Sequence, residues 1–287
     1  MKITDIIGSG RPTLSFEVFP PKTSTNEEQI KSAVTEIAEL APDFMSVTYG
    51  AGGGTSARTA EISSIVMSKG VTALAHLSCI SSSKQDIDAR IAELRSEGIE
   101  NVLALRGDAA PSNENHDFRY AEELIRVIRA SGADFCIGGA CYPECHPEAK
   151  NQDEDIANLA HKVEAGCDFL TSQMFFDNSV FYSFLWRLLS RGIDVPVIAG
   201  VMPVTNAGQI KRICALSGTT LPSRFRRIVD KFGDKPEAMK QAGIAYATEQ
   251  IIDLYANGVS SVHLYTMNKP DVARAIKSNL SSIIKAQ

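Results

Sequence analysis

The sequence predicts an α/β protein, a (β/α)8 barrel of the TIM type with extra helices before its last strand. Three observations carry that expectation. Short apolar runs alternate with amphipathic helical segments about eight times along the chain. The links are short, and none is a Pro-, Gly- or Ser-rich linker, so residues 1–287 read as a single domain. Polar or ionisable side chains also recur at the C-terminal ends of the strand-like runs, where barrels of this kind gather their chemistry.

The first strand is the clearest. Leu14, Phe16 and Val18 alternate with Ser15, Glu17 and Phe19. Pro20 and Pro21 then end the ladder, because neither donates a backbone N–H. Glu17 thus falls near the strand's C-terminal end, opposite Phe16 and Val18, and in a barrel that face points inward and toward the mouth. A helix follows from about Asn26 to Leu40, with Ile30, Val34, Ile37 and Leu40 on one stripe. Ser24 or Thr25 is its expected cap, with Glu27 and Glu28 in the first turn. Strands are expected at 44–48, 71–77, 101–105, 135–140, 169–173 and 195–199, and helices at 56–69, 84–97, 120–130, 153–165 and 179–190. Gly166 is the stop of the helix before it. Three helical segments, near 207–217, 222–231 and 236–257, break the rhythm before the final strand at 262–265 and a last helix near 270–285.

Composition bounds the function. With 44% hydrophobic and 22% charged residues and a mean hydropathy of −0.06, the chain is expected to be globular. A net charge of −5 argues against nucleic acid or an anionic membrane as a general partner. No apolar run approaches the roughly 18 residues of a membrane span. The opening MKITDIIGSG is not a secretion signal, so a cytoplasmic location is the expectation. Six cysteines in such a chain read as reduced thiols. Cys136, Cys141, Cys145 and His146 are spaced C-x4-C-x3-C-H without a C-x2-C knuckle, and no metal is expected there.

The strand ends carry the chemistry. They present Glu17, Thr48 with Tyr49, His76, Arg106-Gly107-Asp108, Tyr142 with His146, Gln173, and the run from Tyr265 to Lys269. A partly desolvated carboxyl at Glu17 suits holding and releasing a proton, though a helix-capping or ion-paired glutamate would read the same. Asp108 beside Arg106 is expected to stay ionised, whether it tunes a redox cofactor or only closes the loop. His76 between apolar neighbours reads equally as a core histidine. Gly52-Gly53-Gly54-Thr55-Ser56-Ala57 matches G-x-G-x-x-A, but about 20 residues on the chain reads Ala75-His76-Leu77 instead of an acid, and no G-K-[ST] follows. That run is either a loop or a place where backbone approaches a ligand.

In order along the chain stand Ser15-Phe-Glu-Val-Phe-Pro-Pro-Lys, Ser46-Val-Thr-Tyr-Gly, Ala75-His-Leu-Ser-Cys, Leu105-Arg-Gly-Asp, Tyr142-Pro-Glu-Cys-His-Pro-Glu-Ala, Gln173-Met-Phe-Phe-Asp, Gly200-Val-Met-Pro-Val and His263-Leu-Tyr-Thr-Met-Asn. This set resembles methylenetetrahydrofolate reductase over essentially the whole chain, as the short catalytic-barrel form. The resemblance implies an FAD-containing barrel that reduces 5,10-methylenetetrahydrofolate to 5-methyltetrahydrofolate. By it, Glu17 supplies the proton that opens the ring at N10, giving an iminium that accepts hydride from flavin N5, and Asp108 sits beside the flavin. It also implies a flavin-binding set of Thr48, Tyr49, Ala51, His76, Arg106, Gly107, Asp108, Tyr120, Ala121, Tyr142, His146, Asp155, Asn158 and Lys162. The last three fall at i, i+3 and i+7, one face of a helix. Folate contacts are implied for Gln173, Gln209 and Lys269, the last a point charge where the family often has arginine. The implied electron source is NADH, NADPH or an electron-delivering partner protein, in a homo-oligomer or hetero-complex. Two other classes fit a barrel: a flavin-free pterin-binding methyltransferase acting on a corrinoid, and a non-catalytic subunit.

Overall fold

The computed structural model describes residues 1–21, 26–49, 56–107 and 117–285. Among them, eight parallel strands close into a barrel in sequence order. These are β1 (Thr13–Val18), β2 (Phe44–Val47), β3 (Thr72–Ser78), β4 (Asn101–Leu105), β5 (Cys136–Cys141), β6 (Phe169–Ser172), β7 (Val197–Val201) and β8 (Ser261–Tyr265). The helices that return the chain are α2 (Glu27–Ala38), α3 (Ser56–Ser68), α4 (Lys84–Ser96), α5 (Ala121–Ala130), α6 (Gln152–Glu164) and α7 (Asn178–Ser190). The seventh crossover is enlarged, as the broken rhythm predicts: α8 (Ala207–Ser217), α9 (Ser223–Phe232) and α10 (Pro236–Ala256) all precede β8. The expected final helix divides at Leu280 into α11 (Pro270–Asn279) and α12 (Ser281–Lys285). Gly166 follows α6 at φ +110°, a backbone state that L side chains rarely adopt. The caps expected at Ser24 and Thr25, and the Gly52–Thr55 part of the glycine run, lie outside the described residues.

A short helix escapes the period search. α1 (Ile3–Ile7) has too few turns to show a stripe, yet Ile3, Ile6 and Ile7 are buried. They plug the bottom of the barrel against Phe44, Leu74, Leu103, Cys136, Phe169 and Ile198, the inward residues of six strands. Side-chain sizes alternate there. A Cβ on Gly138 would stand 2.4 Å from the ring of Phe169, so the glycine makes the room that the ring fills. Phe169 is fully buried. Phe169→Ala is expected to destabilise the fold by about 3–5 kcal/mol, read as a shift in the urea midpoint at constant slope.

The outward faces of the strands (Phe16, Val18, Met45, Val47, Ala75, Leu77) join the helix stripes in the main core. Burying such side chains contributes about 1.5–3 kcal/mol apiece, which fixes the register of each strand. The inward faces of β1, β3 and β8 carry Glu17, His76 and Tyr265 near the C-terminal ends of their strands, in the upper half of the barrel. A third cluster under the enlarged crossover (Met174, Phe176, Met202, Val204, Phe225, Met239) forms one shoulder of the mouth.

Candidate active site

Glu17 stands at the top of β1, paired in register with Ser46 of β2 and Tyr265 of β8. Its side chain is 21% exposed, and the edge it shows opens on a cavity. Its neighbours are neutral. His76 Nε2 lies 3.7 Å and His263 Nε2 3.9 Å from Oε2, and burial pushes both imidazoles down to about 3. The Ser46 hydroxyl is 3.5 Å away. Burial, with no cation in contact among the described residues, pushes the Glu17 carboxyl up to about 8, so it carries its proton at neutral pH. Tyr265 is held clear of it: its hydroxyl donates to Ser172 O at 2.6 Å. That bond needs Gly200, whose added Cβ would lie 2.6 Å from the same hydroxyl.

Above Glu17 opens a cavity of about 430 Å³. Arg106, Tyr142, His146, Gln173 and Tyr265 line its polar side, while Met174, Met202, Ile213, Leu216 and Met267 line an apolar one. Gln173 is fixed by its backbone N–H, which donates to Cys141 O at 2.7 Å. Its own Oε1 accepts the Met174 N–H at 2.9 Å. Arg106 forms a two-pronged ion pair with Glu148, with Nη2 to Oε1 at 2.6 Å. Gly107 follows at φ +86°, and any Cβ there would collide with the Ser78 hydroxyl, which donates to Arg106 O at 2.9 Å.

A second cavity of about 420 Å³ lies to the side, and Arg106, Tyr142, His146 and Glu148 line both. Its far wall is α6, started by Asn151, whose side chain accepts the Glu154 N–H at 2.9 Å. Asp155, Asn158 and Lys162 all face this cavity, as the helical spacing predicts. Asp155 Oδ2 accepts the His146 N–H at 2.9 Å, and burial raises its pKa. Lys162 Nζ donates to Ala140 O at 2.5 Å, its stem running past Gly139, where a Cβ would stand 2.6 Å from it. Burial lowers the pKa of Lys162. His146 packs edge-on to Tyr142 at 4.6 Å, and its Nδ1 accepts the Glu148 N–H at 3.1 Å. In the neutral ring the proton is therefore on Nε2. Tyr120 and Ala121 reach the cavity from the start of α5, where Glu123 accepts the Arg119 and Tyr120 N–H groups at 2.6 and 3.1 Å.

Other expected site residues stand apart. Thr48 and Tyr49 are half-buried at the end of β2 and line neither cavity. Gln209 is exposed on the first turn of α8 and lines neither. Lys269 lies at the start of α11 with Nζ on Thr205 Oγ1 at 2.6 Å, so its charge is held at the β7–α8 loop, away from both cavities. Ala51 and Asp108 lie outside the described residues. The cysteines of the C-x4-C-x3-C-H run diverge: Cys136 faces the plug, Cys141 the outer core, and Cys145 lies in the loop beyond. Among the described residues, no three His, Cys, Asp or Glu side chains group as metal ligands. Sequence reading missed Ser15, Ser46 and His263, inward residues two positions before or beside Glu17 and Tyr265. The alternation that places those two residues inward would have found them. It also missed Glu148, for which only proximity in the fold gives a signal.

The model of the family described as methylenetetrahydrofolate reductase matches residues 2–281. A Pectobacterium carotovorum protein named 5,10-methylenetetrahydrofolate reductase is 35% identical over 268 residues, covering 93% of this chain and 89% of its own. The protein of that name from Escherichia coli is likewise 35% identical, covering 93% and 90%. A maize methylenetetrahydrofolate reductase (NADH) is 35% identical over 298 residues, of which this chain spans 50% of the length. Among solved structures, a Clostridium thermocellum protein that binds two copies of 5-methyl-5,6,7,8-tetrahydrofolic acid superposes over 100% of both chains. Its TM-score is 0.66 at 13% identity, a likeness of fold alone. With a closed barrel, a family model matching nearly the whole chain and relatives at 35% identity, the chain belongs to the methylenetetrahydrofolate reductase family, the oxidoreductases that reduce methylenetetrahydrofolate.

Proposed function

We propose that residues 1–287 form a single catalytic barrel that reduces 5,10-methylenetetrahydrofolate to 5-methyltetrahydrofolate with FAD, Glu17 being the general acid. The observation that carries this reading is the buried Glu17 carboxyl, its pKa raised to about 8, at the floor of one cavity that continues, past Arg106, Tyr142 and His146, into a second polar one. The second cavity suits FAD in its donor set. Arg106 and Lys162 supply cationic donors for phosphate, Asn158 and Asp155 amide and carboxylate partners for hydroxyls, and Tyr142 a ring face. Tyr120, Ala121 and His146 complete the wall, and Gly107, His76, Thr48, Tyr49, Ala51 and Asp108 belong to the same proposed set. Bound there, FAD would supply the hydride.

The chain's own groups do the rest. Gln173 and the apolar shoulder orient the folate, with Gln209 and Lys269 proposed for its tail. Glu17 holds a proton for folate N10, whose protonation opens the five-membered ring. The electron source is NADH or NADPH, NADH being favoured by the name of the maize relative, or else a partner protein. Among the described residues no helix is long and apolar enough to cross a membrane. A cytoplasmic homo-oligomer or hetero-complex is the proposed setting.

The test is an absorption spectrum of the protein reconstituted with FAD, before and after anaerobic NADH. Bleaching, then recovery on adding methylenetetrahydrofolate, is the expected result. No flavin binding at all would overturn the reading in favour of a flavin-free pterin enzyme. Lys162→Met is expected to weaken FAD binding about tenfold or more, the worth of one charge-assisted contact, measured by titrating FAD into the cofactor-free protein.

A further inference from the structure

The two cavities meet at four side chains, Arg106, Tyr142, His146 and Glu148, which line both. A flavin that hands hydride to folate above Glu17 has to reach from the second cavity past these four into the first. Three of them are set by their surroundings. Tyr142 packs edge-on against His146, and the His146 N–H is held by Asp155. Arg106 is fixed by its carbonyl, which accepts the Ser78 hydroxyl, and by its Nε, which donates to Gly107 O at 3.2 Å. Glu148 is different. It lies in the loop between β5 and α6, and its side chain is 62% exposed against 23% for Arg106.

The contact between the two is a fork. Arg106 Nη2 donates to Glu148 Oε1 at 2.6 Å and Nη1 donates to Oε2. With Nε on Gly107, every nitrogen of the guanidinium is already donating, two of the three to one carboxylate. The fork also lowers the pKa of Glu148, so the side chain is an anion at neutral pH. A phosphate takes the same fork as a carboxylate. It reaches Arg106 here either by sharing the guanidinium with Glu148 or by displacing it. Sharing sets two anions side by side, which Coulomb repulsion penalises. Displacement gives up an ion pair that is partly solvated and so worth little, and Glu148 has open water to turn into. Arg106 keeps its place when the pair opens, because Gly107 and Ser78 hold it from the other side.

We propose that Glu148 is a latch where the two cavities meet: its carboxylate occupies the Arg106 fork in the cofactor-free protein and swings into solvent when a cofactor phosphate takes that fork. This rests on the reading of the second cavity as the FAD site. Glu148 then sets how tightly the anionic part of the cofactor is held.

The test is a titration of FAD into the cofactor-free native protein and into Glu148→Gln, followed by flavin fluorescence at low and at high salt. The amide keeps the shape of the acid and gives up its charge. Glu148→Gln is expected to bind FAD about fivefold more tightly at low ionic strength, the upper end of what an exposed ion pair is worth. The gain should shrink as salt is added. In the native protein the phosphate replaces one ion pair at Arg106 with another, whereas in the variant it forms a pair that was not there before, and salt screens the new one. Glu148→Ala should behave in the same way. Binding that is unchanged or weaker in Glu148→Gln would make the carboxylate a brace for Arg106 and overturn the inference. A gain of the same size at every salt concentration would come from packing and overturn it too. Failure of the FAD reading is distinguishable, and takes the inference with it: neither protein would then bind FAD at any concentration.

Discussion

Glu17→Gln is expected to lower methylenetetrahydrofolate reduction about a thousandfold while flavin reduction by the donor persists. The carboxamide has the shape of the protonated acid and keeps an N–H2 where the acid has its O–H. The pit around it therefore holds, and only the transferable proton is gone. A positioned general acid contributes about 10²–10⁴ in rate, and among the described residues there is no nearby substitute. His76 and His263 are neutral at neutral pH, being held down to about 3 by burial, and the Tyr265 hydroxyl is committed across the barrel. The pH dependence follows with a definite sign. The reacting form is the acid, so the folate half-reaction of the native protein should be flat through neutrality and fall as pH rises through about 8. The residual rate in Glu17→Gln should lack that limb. Single-turnover reoxidation of reduced flavin by methylenetetrahydrofolate, followed from pH 6 to 9, separates this step from donor oxidation. A variant that reoxidises at the native rate would remove Glu17 from the chemistry.

The way that carboxyl is built shows what a one-dimensional reading sees. The alternation in Leu14–Phe19 and the two prolines after it place Glu17 inward at a strand end, because a strand has only two faces and proline cannot extend a ladder. The i, i+3, i+7 spacing of Asp155, Asn158 and Lys162 likewise puts three polar groups on one wall. Both are local constraints, and periodicity carries them. The pairing of Arg106 with Glu148 joins residues 42 positions apart, and the Ser15–His263 contact joins residues 248 apart. Pairing of β4 with β5 makes the first two neighbours, and barrel closure through β8 and β1 the second two. α1 was invisible for another reason: five residues span too few turns for a stripe to declare itself, and its burial is decided wholly by the hole it plugs. Lys269 and Gln209 show the converse limit. Their positions follow a family motif, but their side chains are placed by Thr205 and by the outward face of α8.

The same three buried groups give the fold a narrow pH optimum. His76 and His263 titrate near 3 in the folded protein and near 6.5 when unfolded. Between those values the unfolded chain binds the extra protons, so stability is lost as pH falls below about 6.5. Glu17 acts with the opposite sign. Its folded pKa of about 8 exceeds its unfolded value of about 4.5, so its contribution is complete below about 4.5 and is lost as pH rises toward 8. From pH 6.5 to 5 the two histidines together cost about 3 kcal/mol and Glu17 returns about 2, while from 6.5 to 8 Glu17 costs about 2 and the histidines, half-protonated in the unfolded chain at 6.5, return about 1. These three groups therefore place maximal stability near pH 6.5, with a fall of about 1 kcal/mol on either side. Urea midpoints at pH 5, 6.5 and 8 test this. In Glu17→Gln the alkaline loss should vanish and the acid loss should more than double, because the opposing proton is gone. In His263→Asn the acid slope should fall by one proton. An acid slope in Glu17→Gln no steeper than the native one would mean that the two imidazoles bind protons inside the folded barrel. The neutral pit on which the acid chemistry of Glu17 depends would then not exist.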